Sequence, residues 1–224
     1  MKGQLYIDGK DIFTELGVAT LKGNYGELVA FPPSKTPDSN DWAEEDGKEF
    51  DLSAIALDSR ELTLSFGFFS EWKYNNFVAL ISDMAYHDFY FPQLGRTFKL
   101  RLSSQNSFEI YNTTQMSRFT FANDFPRPAD YVYQSPVNTI PLPKGYELDD
   151  VDLSSYGVLI LKGTNEEILK TPAVKKNLLQ NFKRQDGAIY DGEYVKFQTK
   201  DVNLKCLMRA PDFETFWRNR DALL

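Results

Sequence analysis

The sequence predicts a mainly β protein, α+β by content, with one flanking helix in each of two repeats. Three observations predict it. Aromatic residues make up 15% of the chain, 18 Phe and 12 Tyr among them, a composition that suits pleated, half-buried surfaces. Several segments alternate apolar with polar or small residues. And one pattern, Gly-Val-x-x-Leu-Lys-Gly, is written twice, in "LGVATLKG" from Leu16 and in "YGVLILKG" from Tyr156.

The repeat extends beyond that pattern. With an offset of 140 positions, Ile12–Phe68 aligns with Asp152–Met208 without a gap. Gly17, Val18, Leu21, Lys22 and Gly23 meet Gly157, Val158, Leu161, Lys162 and Gly163. Glu27, Pro32 and Lys35 meet Glu167, Pro172 and Lys175, and Asp51 meets Asp191. Asp46-Gly47 meets Asp186-Gly187, a pair that tolerates positive φ and so suits a tight turn into a strand. Gly17 and Gly157 stand where a short polar turn gives way to a strand. These eight turn residues, Gly17, Gly23, Asp46, Gly47, Gly157, Gly163, Asp186 and Gly187, therefore read as structural.

The elements follow in order. Leu62, Leu64, Phe66 and Phe68 alternate with polar or small neighbours, as a half-buried strand does. Their counterparts are Val202, Leu204, Cys206 and Met208, which puts Cys206 on the inward phase as a small buried hydrophobe. Ser70 can cap a helix over about 70–84, with Phe77, Leu80, Ile81 and Met84 along one face. Pro211 suits a first helical turn, and Phe213, Phe216, Trp217 and Leu224 form the stripe that follows. Between these helices, "FYFPQLGRTFKLRL", "SFEIYN" and "SRFTFAN" read as three further short strands. The proline-rich stretch "FPRPADYVYQSPVNTIPLPKGYELDD" reads as a connector. The domains expected are thus 1–130, a linker at 131–145, and a shorter second copy at 146–224. The second copy has no counterpart to the later strands of the first, so something else must complete its sheet.

One segment changes character between copies. Pro33–Phe50 is acidic, whereas Ala173–Tyr190 is basic and more apolar. Such a segment is either a subunit contact or a solvated loop.

Chemistry is sparse. His87, the one histidine, lies beside Asp88 with no nucleophile in a recognisable elbow, and reads as structural. The acidic cluster Asp38, Asp41, Glu44, Glu45 and Asp46 lacks the ligand spacing of a calcium loop. Phosphate-binding and dinucleotide glycine motifs are absent, and no catalytic, cofactor or metal residue is expected. The net charge of −7 argues against a nucleic-acid binder and suits solubility. A single cysteine excludes an internal disulfide framework and points to an intracellular assembly site. "MKGQLYIDGKDIF" has no apolar core of a signal peptide, and no apolar run reaches membrane-spanning length. Asn112-Thr113-Thr114 matches a glycosylation acceptor only by chance on that reading.

The order of signals in "YIDGKDIFTELGV" and "YELDDVDLSSYGV", followed by the Asp-Gly turns, a strand pair and a helix, resembles the distal tail protein family of long-tailed phages, siphophage baseplate components whose core is related to the tail-tube fold. The resemblance covers roughly residues 5–85 and 146–224. Family members usually carry one such domain before an unrelated module, whereas this chain carries two. The resemblance implies a β-sandwich or barrel-like domain in a non-enzymatic structural protein of a phage or prophage tail tip. It implies ring assembly with copies of itself and with other tail proteins, in a virion tail built in the bacterial cytoplasm. Three duplicated chains would build a ring of six similar units, a trimer with pseudo-sixfold geometry. An acidic channel wall would repel passing DNA. The competing expectation is a carbohydrate-binding β-sandwich that uses exposed aromatics such as Trp42, Trp72 and Tyr74. The repeat sets Trp42 opposite Phe182, which favours packing for that residue.

Overall fold

The computed structural model describes every residue except 84, 112–113, 129, 176–178 and 191–194, and omits the Tyr190 side chain. The strands are β1 (Tyr6–Ile7), β2 (Lys10–Asp11), β3 (Val18–Thr20), β4 (Ser39–Asn40), β5 (Glu49–Phe50), β6 (Arg60–Phe68), β7 (His87–Phe91), β8 (Arg96–Tyr111) and β9 (Thr114–Asn123). They continue with β10 (Glu147–Leu148), β11 (Val151–Asp152), β12 (Val158–Ile160), β13 (Leu179–Gln180), β14 (Ile189–Tyr190) and β15 (Cys206–Met208). The helices are α1 (Ile12–Leu16), α2 (Asn24–Val29), α3 (Glu71–Ile81), α4 (Thr164–Leu169) and α5 (Phe213–Ala222), with a 3₁₀ turn at Leu153–Tyr156. The fold is mainly β, dominated by one large antiparallel sheet.

Two units divide the chain. Unit 1 comprises Met1–Ser34, Leu57–Pro136 and Pro211–Leu224; unit 2 comprises Lys35–Ala56 and Val137–Ala210. This division differs from the linear one expected from sequence. Residues 35–56 of the first copy group with unit 2, and the C-terminal helix groups with unit 1.

Unit 1 holds the large sheet, in the order β2-β1-β7-β8-β9-β6-β3. β8 is shared along its length, pairing with β7 over 96–100 and with β9 from Arg101 on. Register shifts between Leu102 and Ser104 and between Gln105 and Ser107 bend it, as β-bulges do. "SFEIYN" is accordingly no separate strand. Its described residues continue β8, because pairing with β9 resumes after the shifts and runs on to Tyr111↔Thr114.

Alternation along β6 buries Leu62, Leu64, Phe66 and Phe68. Phe66 meets Phe77 of α3 at 4.8 Å and Phe119 of β9 at 6.1 Å between ring centroids. Burial of each such ring contributes about 1.5–3 kcal/mol. α3 begins where the Ser70 Oγ accepts the Lys73 N–H, and it buries Phe77 and Ile81. The helix ends at Ile81, and Met84 lies outside the described residues.

α5 starts at an Asp212 cap that accepts the Thr215 N–H at 2.7 Å. It carries Trp217 into the unit 1 core, where the ring stacks edge-on against Phe98 and its Nε1–H donates to the Leu94 carbonyl at 2.6 Å. Phe216 packs at the edge of that core, whereas Phe213 is exposed. The Pro-rich stretch carries no helix or strand over its described residues between Asp124 and Tyr146.

Unit 2 contains the hairpin β10–β11, the 3₁₀ turn, the pair β12–β15, α4, and the two short hairpins β4–β5 and β13–β14. Its bonds match those of the first copy at a constant offset. β3 meets β6 through Val18↔Phe68 and Thr20↔Phe66; β12 meets β15 through Val158↔Met208 and Ile160↔Cys206. The Asn24 side chain brackets Ser65, accepting its N–H and donating to its carbonyl, and the Thr164 hydroxyl does the same to Lys205. Arg60 donates to the Leu28 and Ala30 carbonyls at the end of α2, and Lys200 to those of Ile168 and Lys170 at the end of α4. Every one of these pairs is 140 residues apart.

The offset changes at the start of the repeat. Asp11 caps α1 through the Phe13 N–H, and Asp152 caps the 3₁₀ turn through the Ser154 N–H, an offset of 141. A five-residue α-turn in the first copy is a four-residue 3₁₀ turn in the second. The alignment is therefore not gapless from Ile12 and Asp152. Each turn ends on a left-handed glycine, Gly17 at φ 64° and Gly157 at φ 73°, whose N–H returns to the preceding carbonyls.

A second difference lies at the other end. β15 spans only Cys206–Met208, and Val202, Leu204 and Cys206 are exposed, although alternation placed them inward. In unit 1 that face is covered by α3 and by the far end of the large sheet. Unit 2 has no described strands of that kind, so the alternation has nothing to bury against.

Candidate assembly surface

Each copy projects a two-stranded arm, β4–β5 in the first and β13–β14 in the second. At the base of arm two, Val174 and Phe197 form an isolated antiparallel bridge. The flanking bonds run from Lys175 N–H to the Lys196 carbonyl and from Gln198 N–H to the Ala173 carbonyl, at 2.8 and 2.7 Å. This is a non-hydrogen-bonded pair, so the N–H and C=O of Phe197 point away from Val174.

Arm one takes up both groups. The Asp46 carboxylate accepts the Phe197 N–H at 2.7 Å, and the Gly47 N–H donates to the Phe197 carbonyl at 2.7 Å. Gly47 sits at φ 71°, which brings its N–H to the outside of the turn without a Cβ penalty. Beside them Lys175, only 6% exposed, donates to the Asp41 carboxylate and the Trp42 carbonyl, each at 2.7 Å. The Lys175 hydrogen bond, helped by the charges of Lys175 and Lys48, holds the Asp41 carboxyl below its ordinary range. An acidic arm thus clasps the foot of a basic one through four polar bonds.

The expected turn residues fall in different places. Gly23 and Gly163, at φ 102° and 99°, precede α2 and α4. Asp46 and Gly47 belong to the clasp. Asp186 and Gly187, their counterparts at the tip of arm two, have no described partner. Asp191, matched to Asp51, lies outside the described residues, as does Asn112-Thr113.

Sequence reading missed the foot residues Lys175 and Phe197. The signal that could have found them was present: Lys35 and Lys175 coincide in the repeat, and only the second is followed by a basic arm. Trp42 and Phe182 occupy matched positions at the arm tips and are both about half exposed, so Trp42 is not packed as the repeat suggested. Tyr74 stacks against Phe68 and Phe108, whereas Trp72 is exposed.

Two polar clusters lie in unit 1. His87 is buried in β7, its Nδ1 2.6 Å from Asp8 and its Nε2 3.0 Å from Asp83. Burial alone would lower its pKa, but the two carboxylates outweigh it and raise it. A cavity of about 230 Å³ is lined by Arg60, Arg96, Lys99, Arg127, Trp217 and Arg220. Arg60 and Arg220 both donate to carbonyls at the end of α2, and Arg96 and Arg220 both pair with Asp221. Burial and the neighbouring arginines lower Arg60 to about 10. Among the described residues no group of three His, Cys, Asp or Glu is placed to hold a metal, and no helix is long and apolar enough to cross a membrane.

Among known proteins, no family profile and no curated sequence matches the chain. Among solved structures, it is similar to the Dit protein (gp 19.1) of SPP1, described as a paradigm of the hub adsorption apparatus in phages that infect Gram-positive bacteria. The identity is 16% and the TM-score 0.40, over 55% of this chain and 50% of that one. The match spans about half the length of the SPP1 protein.

Proposed function

We propose that this chain is a non-enzymatic structural component of a phage or prophage tail tip or baseplate, carrying an internally duplicated domain and assembling into a ring. The reading is carried by the clasp between the arms. Two like arms, related by an offset of 140, meet within unit 2 through a polar contact that uses the tip of one and the foot of the other. A contact of that kind, repeated by rotation, builds rings. The resemblance of both entry segments to distal tail proteins supplies the setting: copies of the same chain and other tail proteins as partners, in a virion tail assembled in the bacterial cytoplasm. A trimer of duplicated chains, with six similar units around the channel, fits this reading.

The test is mass spectrometry of purified phage particles or of tails released by prophage induction, with immunogold labelling of the intact particles. The chain is expected in the tail fraction, labelled at the tip. Its absence from particles, or labelling confined to the capsid, would overturn the assignment.

A further inference from the structure

The clasp is one-sided. Arm one grips the foot of arm two, but among the described residues nothing grips the foot of arm one, and the tip of arm two grips none of them. The repeat specifies what each unused half offers. At the foot of arm one, Ser34 and Leu57 form the bridge matched to Val174 and Phe197. Its flanking bonds run from Lys35 N–H to the Ala56 carbonyl and from Asp58 N–H to the Pro33 carbonyl, at 2.8 and 2.7 Å. Leu57, the counterpart of Phe197, therefore has its N–H and C=O pointing away from Ser34, as those of Phe197 point away from Val174. Among the described residues, neither group has a partner. Lys35, the counterpart of the nearly buried Lys175, is exposed and without an ion pair among the described residues.

At the tip of arm two the gripping groups recur at all but one position. Asp186 and Gly187 repeat Asp46 and Gly47, with Gly187 at φ 80° against 71° for Gly47. The Phe182 carbonyl stands where the Trp42 carbonyl does, and the turns are alike: Gln185 N–H donates to Phe182 O as Glu45 N–H does to Trp42 O. One position differs, with Asn181 in place of Asp41, so the ion pair to lysine becomes a neutral amide contact.

We propose that the tip of arm two docks on the foot of arm one of a second copy of this chain, head to tail. Asp186 accepts the Leu57 N–H, Gly187 donates to the Leu57 carbonyl, and Lys35 donates to the Phe182 carbonyl and the Asn181 amide oxygen. The contact inside the chain and the contact between chains are then the same contact, written twice. The Asp41-to-Asn181 change makes the contact between chains the weaker one, since an ion pair becomes a bond from a charged ammonium to a neutral amide. This deepens the ring reading above, and its failure leaves the tail assignment standing.

The experiment is light scattering and sedimentation velocity on the full chain over a concentration series. Mass is expected to rise above that of the 25.8 kDa monomer as concentration increases. Lys35→Glu and Asp186→Ala, both at exposed positions and checked for unchanged circular dichroism, should each weaken association about tenfold or more, in the range of truncated interface hydrogen bonds. Asn181→Asp should strengthen it, and Asn181→Lys should restore association to the Lys35→Glu chain. A monomer at every concentration, or an oligomer indifferent to all four variants, would overturn the inference. Particle incorporation of the Asp186→Ala chain separates the two claims: tail location tests the role, and solution mass tests the docking.

Discussion

At the scale of single residues, the two copies keep bonds and change side chains. Asn24 and Thr164 both bracket a strand residue, one with an amide and the other with a hydroxyl, because either group can accept and donate at once. Arg60 and Lys200 both close a short helix by donating to its last carbonyls, where the helix dipole favours a cation. Identity alignment sees none of this, since the chemistry survives while the letters do not. His87 gives the residue-scale prediction. Its pKa is raised in the fold above the ordinary 6.5, as both ring nitrogens face carboxylates. The folded state therefore holds its proton more tightly than the unfolded chain, so the stabilisation is full below about pH 6.5 and is lost as pH rises through the folded value. Thermal unfolding followed from pH 6 to 9 should show this loss in the native chain. His87→Gln should lack it; an unchanged pH profile would contradict the pairing.

At the scale of elements, local pattern was legible and partnership was not. The β6 alternation, the Phe77 and Ile81 face of α3 and the Asp-Gly turns follow from periodicity and turn chemistry alone, which act over a few residues. The same alternation written over Val202–Met208 was misleading, because strand phase predicts burial only where another layer exists to cover it. The arm clasp left only a faint trace, the Lys35 and Lys175 match, because its bonds are mostly to backbone groups, which every residue carries. The one-residue change from α-turn to 3₁₀ turn hides in sequence because both begin with Asp and end with Gly. The membership of α5 was also out of reach, since its stripe announces an apolar face and not which core receives it. Trp217 tests that membership. Trp217→Ala removes a core ring and its bond to the Leu94 carbonyl, and should cost about 3–5 kcal/mol. In hydrogen exchange the loss should fall on β7 and β8. Loss confined to residues 147–208 would show that the helix serves the second copy instead.

At the scale of the whole molecule, the chain order and the units cross. Unit 1 is built from three separated segments, and its last, Pro211–Leu224, supplies Trp217 to the core and Arg220 to the end of α2. Unit 1 cannot then be complete until α5 has been made, although residues 137–210 stand between it and the second segment. Two contacts show how its segments are joined: Arg218 donates to the Ser135 carbonyl at 2.8 Å, and the Tyr131 hydroxyl donates to the Asp221 carbonyl at 2.9 Å. The end of the second segment thus lies beside α5, close enough for a short connection to replace the excursion through residues 137–210. A chain in which a Gly/Ser linker joins Pro136 to Pro211 should keep a cooperative unfolding transition for unit 1. A chain ending at Pro136 lacks the Trp217 packing and the bonds from Arg218 and Arg220 to backbone carbonyls. It should lose several kcal/mol, a large part of the roughly 5–15 kcal/mol that holds a domain folded. Calorimetry on the two shortened chains makes the comparison. Equal transitions in both would mean that α5 is dispensable to unit 1, and that the second copy carries its own helix after all.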